Sequence, residues 1–487
     1  MSASLALAGV LAAPLLQALL VLLFARPPGL RDVTHILGAG ATAAFALFAV
    51  NDAAHGQTAR LVLARPLPNV DLAFSIEPLG ALFAAFVAGL GFLHAVHSAG
   101  AVRATHEKAP ARLMAFMALA IAATLAIAFS ANLFSFFVGY QALILAAFPL
   151  VAHRGDKDSS HAARSLLITL FVTSVGLLLP AMVWTYSAAG ALDFQAGGVL
   201  AGRLDVLSAN VLLVLFVFGI AMCAMPPTHR WLSEASGAPY PALTSIYALT
   251  VLPAGALGIV KIAAYVFGAE LLVANVARIA LLLLAGVGMC VFALIALSKQ
   301  DVRDRLAYSC MAQTLAAVMG ALLALPAGLF ASTLQIVATC CAAATLFMAV
   351  GAVAALTQRV RVEDYVGLGR AQPWTFAGFT LASASMIGMP PFSGAWAKLW
   401  LITAAAGARL PWAAALAAAA AILTFAHLGP LAANAFGARA PTDPFKRPDG
   451  ASILLVAPVV LAAAATLWLL VLADPLASFL SPVWTPR

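Results

Sequence analysis

Stretches of about twenty apolar residues recur along nearly the whole sequence, separated by short polar punctuation, and they decide the solvent in which this chain folds. A helix rising 1.5 Å per residue needs about 20 such residues to cross the hydrocarbon layer of a bilayer. Windows between charged or Pro/Gly-rich punctuation place them at roughly 3 to 25, 35 to 52, 78 to 99, 112 to 130, 131 to 152, 163 to 187 and 209 to 226. A second set follows at roughly 242 to 268, 274 to 298, 305 to 326, 328 to 357, 374 to 401, 408 to 435 and 451 to 473. The chain is 64% hydrophobic and only 9% charged, whereas soluble domains are roughly a quarter charged. Barrel strands would alternate apolar and polar residues, and these runs of Ala, Leu, Val and Phe do not. The expectation is an all-α polytopic membrane protein of about fourteen transmembrane helices.

The basic residues give a separate test of that count, because cytoplasmic loops collect Lys and Arg. With the loops numbered in order, the odd ones hold 18 basic residues, including Arg103, Lys108, Arg112 and, in the last, Arg439, Lys446 and Arg447. The even loops and the C-terminus hold 6, among them Arg60, Arg203 and Arg487, and Lys261 and Lys398 lie inside spans. The alternation puts both termini on the non-cytoplasmic side of a bacterial-type inner membrane. The first stretch lacks a basic leader and a small-residue cleavage site, so it reads as a retained helix. The net charge of +8 sits in short loops beside membrane ends, which suits anionic lipid headgroups better than nucleic acid.

The polar segments, about 51 to 77 and 436 to 450, are too short for a core of their own, so 1–487 reads as one membrane domain. Within it, 1–110 would be N-terminal helices, 111–270 and 271–437 two repeats, and 438–487 a C-terminal helix. The sequence holds no Walker loop, dinucleotide fingerprint or metal-spaced Cys/His cluster, and no catalytic, cofactor or metal residues are assigned. The five cysteines, Cys223, Cys290, Cys310, Cys340 and Cys341, read as small buried hydrophobes. His94 and His97 share a helix face near its end and read as interfacial or hydrogen-bonded. Glu77 and Glu234 read as helix-end or salt-bridge residues, and Arg303, Asp304 and Arg305 as a local ion-pair cluster in a turn.

Two spans carry breaks. The seventh runs into Pro226 and Pro227 and then Ala238-Pro239-Tyr240-Pro241; the twelfth is interrupted from Gly388 through Pro390 and Pro391 to Gly394. Proline lacks an N–H and frees carbonyls at membrane depth, which is tolerated only inside protein or beside a wet cavity. The two breaks lie five spans apart in opposite directions, as two inverted five-helix repeats would place them. Lys398 follows the second break inside apolar sequence; a lysine at a broken helix is the usual hardware of an ion path, the other reading being a lysine that holds the freed carbonyls without transport.

At these residues the chain resembles the antiporter-like subunits shared by complex I, Mrp-type cation/proton antiporters and membrane-bound hydrogenases. The resemblance rests on Asn132 to Gln141, on His229-Arg230-Trp231-Leu232 through Ala238-Pro239, and on Asp301 to Ser309. It is strongest over Gly367 to Trp374 and Ser385 to Lys398, where it is closest to the D-type subunit of Mrp antiporters. It implies a chain of buried ionisable groups that carries protons or coupled ions. Carried over position by position, the family's fifth-span glutamate falls on Gln141, its seventh-span lysine on Met222, its eighth-span lysine near Leu252 and its eleventh-span histidine near Thr339. Lys398 matches the twelfth-span lysine.

The resemblance therefore implies a subunit of a multisubunit inner-membrane complex that translocates protons, or Na+ or K+ against protons, through both halves or through the second half only, with any redox chemistry in partner subunits. Lys398, Lys261, His427 and Gln141 are the candidate path residues. Lys261 admits two readings, a displaced path residue or a lysine snorkelling to the interface. A non-conducting coupling subunit and a membrane subunit of an inorganic carbon pump with a zinc-containing companion are the alternatives.

Overall fold

Short loops and helix-starting residues divide the chain where the apolar stretches end. In a computed structural model of the protein, residues 2–437 and 452–484 are described. The first six helices are α1 (Ala3–Leu23), α2 (Pro28–Ala54), α3 (Pro78–Thr105), α4 (Pro110–Ala128), α5 (Leu133–Val151) and α6 (Lys157–Ala189). They are followed by α7 (Val206–Gly219), α8 (Tyr240–Ala274), α9 (Ala277–Ser298), α10 (Val302–Leu322) and α11 (Pro326–Thr357). The broken pair α12 (Pro373–Ile387) and α13 (Ser393–Gly407), then α14 (Pro411–Asn434) and α15 (Ser452–Trp484), complete the bundle. Among the described residues, 10 helices are long and apolar enough to cross a membrane.

The helix starts follow local rules. Proline occupies the first turn of α2, α3, α4, α11, α12 and α14, where its missing N–H leaves no bond unmade. Asn132, Asp156, Asp205 and Asp301 cap α5, α6, α7 and α10 by accepting from backbone N–H groups two or three residues on.

The centre of the molecule is α11. Its apolar window is wholly buried, and it packs against α3, α8, α10, α12, α13 and α15. Small residues such as Ala342, Ala343, Ala344 and Gly351 line it, which lets neighbouring backbones approach closely.

The polar segment near 51 to 77 holds an antiparallel hairpin, β1 (Arg60–Leu67) and β2 (Val70–Ser75). The hairpin is held because Ala131 donates its N–H to Ala73 O and Ser75 its N–H to Phe129 O. It thus covers the end of α4 and the start of α5, with carbonyls that would otherwise face no donor. Of the basic residues used for the loop count, Arg439, Lys446, Arg447 and Arg487 lie outside the described residues, as does the boundary drawn at 438.

Both interrupted spans lie near the expected positions. α7 ends at Gly219, before Pro226 and Pro227, and the chain resumes membrane-length helix at Tyr240. α12 ends at Ile387 with Gly388 at φ +95°, a left-handed conformation suited to glycine. Gly394 sits in the first turn of α13, and a Cβ there would lie 1.8 Å from Ser385 O. Gly394→Ala is expected to destabilise the detergent-solubilised protein by about 1–3 kcal/mol through this overpacking. Gly407→Ala, where an added Cβ meets Leu325 at 3.8 Å, should leave the melting temperature unchanged in the same scan.

Candidate functional site

Pro390 creates the site around Lys398. The carbonyl of Met386 would normally accept from the N–H four residues on, and that residue is Pro390, which has none. Lys398 Nζ takes this carbonyl instead, at 2.8 Å, and also donates to Gln313 Oε1 at 3.0 Å. The side chain is 9% exposed. Gly388 leaves room for its stem, since a Cβ there would stand 2.6 Å from Lys398 Cδ. Among the described residues, no carboxylate reaches ion-pair distance of this amine.

Gln313 connects Lys398 to three helices. Its Oε1 also accepts from Gln335 Nε2 at 3.1 Å, Gln335 donates to Thr339 Oγ1 at 3.0 Å, and Gln313 Nε2 reaches Thr424 Oγ1 at 3.4 Å. Met386 extends the chain: its sulfur lies 3.1 Å from Ser309 Oγ, which meets His427 Nε2 at 3.0 Å. Arg305, Ser309 and Gln313 are spaced four apart and form one polar stripe on α10. Lys398 and His427 therefore belong to one buried polar network, which also takes in Thr339.

Arg305 is not in the ion-pair cluster expected for it. It is buried and donates to Leu297 O and Lys299 O at the end of α9 and to His427 O at 3.1 Å, which satisfies terminal carbonyls that lack helical partners. The cluster itself is Arg303 with Asp301 at 2.7 Å, while Asp304 accepts from Ser236 at 2.6 Å. Glu234 pairs with the exposed Arg230 at 3.1 Å.

A second centre holds Lys261. The amine is fully buried, so it does not snorkel to an interface. It pairs with Glu77 at 2.9 Å and donates to Ala128 O at 2.7 Å and to Ser130 O and Oγ at 3.2 and 3.3 Å. Tyr265 donates its hydroxyl to the other Glu77 oxygen, and the Phe194 ring lies 5.2 Å from the amine. Glu77 and Tyr265 line a pocket of about 190 Å3 that opens beside Ser130. The local cause is a π-helical turn, Ile262–Phe267, following Lys261; Tyr265 O and Val266 O accept from Val199 and Leu200 of the neighbouring loop.

The remaining positions of the first half are apolar or neutral. Gln141 donates to Ser174 Oγ at 2.9 Å, beside the π-helical turn Ser174–Leu178 of α6. Met222 and Leu252 are buried in the core. The backbone of Met222 and Cys223 lies against α8 so closely that a Cβ on Gly255 would stand 2.4 Å from it. Gln141, Lys261 and Lys398 are thus in three separate settings. His94 and His97 are buried, with the Pro241 backbone beside the first ring and the Met348 backbone beside the second. That corrects the interfacial half of the reading: α3 continues to Thr105 and carries both rings into the bundle. Four of the cysteines are buried and Cys290 is partly so.

The family described as NADH:quinone oxidoreductase/Mrp antiporter, TM, matches residues 130–424. NADH-quinone oxidoreductase subunit L of Mycobacterium tuberculosis is 30% identical over 344 residues, covering 70% of this chain and 53% of that protein. The chain thus spans about half the length of that curated relative. Among solved structures, a chain of the Mrp complex from Dietzia sp. superposes with a TM-score of 0.86 at 23% identity, covering 100% of this chain and 98% of that one. A chain of respiratory complex I from Thermus thermophilus with bound NADH gives a TM-score of 0.79 at 22% identity, covering 97% and 99%. At those identities the likeness is one of fold.

Removing Glu77 alone strands the Lys261 ammonium, and such losses cost about 3–5 kcal/mol. Glu77→Gln is therefore expected to destabilise the protein more than Glu77→Gln combined with Lys261→Met, and a double-mutant cycle on the melting transition reads that coupling.

Proposed function

The chain belongs to the NADH:quinone oxidoreductase/Mrp antiporter membrane family, and from that membership we propose that it conducts protons, or monovalent cations exchanged for protons, as one subunit of a multisubunit complex of the plasma membrane. The observation that carries this reading is the Lys398 network. An amine held by Met386 O and Gln313 Oε1 can keep both contacts whether it bears three N–H bonds or two. The second form also presents a lone pair. Loss or gain of a proton therefore need not break the local packing, and Gln313, Gln335, Ser309 and His427 continue the hydrogen-bonding chain on either side.

The proposed topology has fourteen spans, with α7, α10, the α12/α13 pair and α15 counted among them, arranged as two inverted five-helix repeats that each contain one break. Both termini are assigned to the non-cytoplasmic side. A cysteine introduced at Ser2 should react with a membrane-impermeant thiol reagent added outside intact cells; protection there, with labelling only after lysis, reverses the assignment.

Burial of Met222 and Leu252 in apolar packing, with Gln141 bonded to Ser174, favours a second reading in which the subunit couples its neighbours without conducting. Vesicles holding the intact complex separate the two. Lys398→Ala is expected to abolish proton flux and cation-dependent pH change while the complex still assembles. Flux equal to wild type would transfer the assignment to the coupling role.

A further inference from the structure

A second group of buried titratable side chains lies outside the Lys398 and Lys261 centres, where α2 begins and α3 ends. The buried face of α2 carries Arg31, Asp32, His35 and Thr42, residues a packed apolar helix does not need. Asp32 is paired with Arg31 at 2.7 Å and with Arg103 of α3 at 2.6 Å, and the Arg103 side chain is 48% exposed. This ion-pair cluster reaches from solvent to one helical turn from His35.

His35 continues inward. Its Nδ1 lies 3.0 Å from Gln17 Nε2 of α1 and its Nε2 lies 3.3 Å from Ser98 Oγ of α3. It also lines a cavity of about 20 Å3 together with Gln17, Thr42, His94 and Ser245. A cavity of this size holds one water when at least two polar groups face it. The buried Ser245 hydroxyl has no hydrogen-bond partner among the described residues, and the buried His94 ring has the Pro241 backbone beside it and the cavity as a second neighbour. A buried hydroxyl without a partner, beside a void of one water's volume that Gln17, His35 and His94 also line, is a place for a bridging water.

Ser245 belongs to a π-helical turn of α8, Thr244–Leu249. That turn packs on α11, with the Tyr247 and Phe347 rings 5.3 Å apart, and α11 supplies Gln335 and Thr339 to the Lys398 network.

We propose that Gln17, His35, Ser98, His94 and Ser245, joined through one water, form a proton inlet that leads from the Asp32–Arg103 cluster to α8 and α11 at the bundle centre. Each imidazole accepts a proton on one nitrogen and releases one from the other, so it returns to the neutral form as the other tautomer, and a ring flip resets it for the next proton. The inlet rests on the reading that this chain conducts protons.

The test is proton flux in vesicles holding the intact complex. His94→Gln keeps a hydrogen-bonding side chain but cannot pass a proton through a ring. Ala118→Val removes no polar group and places methyl groups in the cavity that Ala118 lines. Each is expected to lower flux about tenfold, the rate loss of a barrier raised by roughly 1.4 kcal/mol. A merely structural role for the histidine would leave Ala118→Val at wild-type flux. If both variants assemble and conduct like wild type while Lys398→Ala does not, the inlet is overturned and the conducting reading stands. If wild-type vesicles carry no protons, both fall together.

Discussion

An ammonium group inside an apolar bundle has to find oxygens, and in this protein the backbone supplies them where helices stop or widen. Burying such a group unpaired is among the costliest things a fold can do. At Lys398 the oxygen is Met386 O, released because Pro390 cannot donate to it. At Lys261 they are Ala128 O, at the last residue of α4, and Ser130 O just beyond it, with Glu77 added as a counter-charge. The two solutions differ chemically. Lys261 is locked by an ion pair and several acceptors, and its neutralisation would strand Glu77. Lys398 has only neutral partners, so a change of its charge strands nothing.

The π-helical turns follow the same logic. Each widens a helix by one residue and so releases backbone groups and redirects side chains. Ser174 in α6 meets Gln141, Ser245 in α8 lines the cavity beside His35 and His94, and Tyr265 in α8 reaches Glu77. Every such turn coincides with a polar side chain that a regular apolar helix would have had to exclude.

Much of this was legible from the residues. Apolar windows and their punctuation located the helices to within a few residues, with α2 and α15 running longest beyond their windows, because the bilayer's length requirement acts locally. Lys398 and its break were legible for the same reason, since Gly388, Pro390, Pro391 and the lysine lie within one short segment. Glu77 could be weighed as a salt-bridge residue but not matched to Lys261, because the two lie far apart in the chain and only the hairpin and the end of α4 bring them together. The snorkelling reading of Lys261 failed because the loop from Val199 covers that end of α8. Arg305, Ser309 and Gln313 did leave a signal, a polar stripe at four-residue spacing in a membrane helix. His35 left none, for it reads as an isolated residue until α1 and α3 fold against it.

The distribution of these groups also constrains where charge can move. In the first half, polar chemistry is concentrated at the two ends, the histidine cavity at one and Glu77 with Lys261 at the other, while Met222 and Leu252 fill the core between them. A straight crossing there would meet only the neutral Gln141–Ser174 pair and the Tyr140 hydroxyl beside Met222, with apolar packing around them. Sideways, α11 borders both the π turn at Ser245 and the Gln335–Gln313–Lys398 chain. A charge entering the first half is therefore better supported in turning toward the second than in passing directly through, and the wholly buried α11 is the element on which that turn depends.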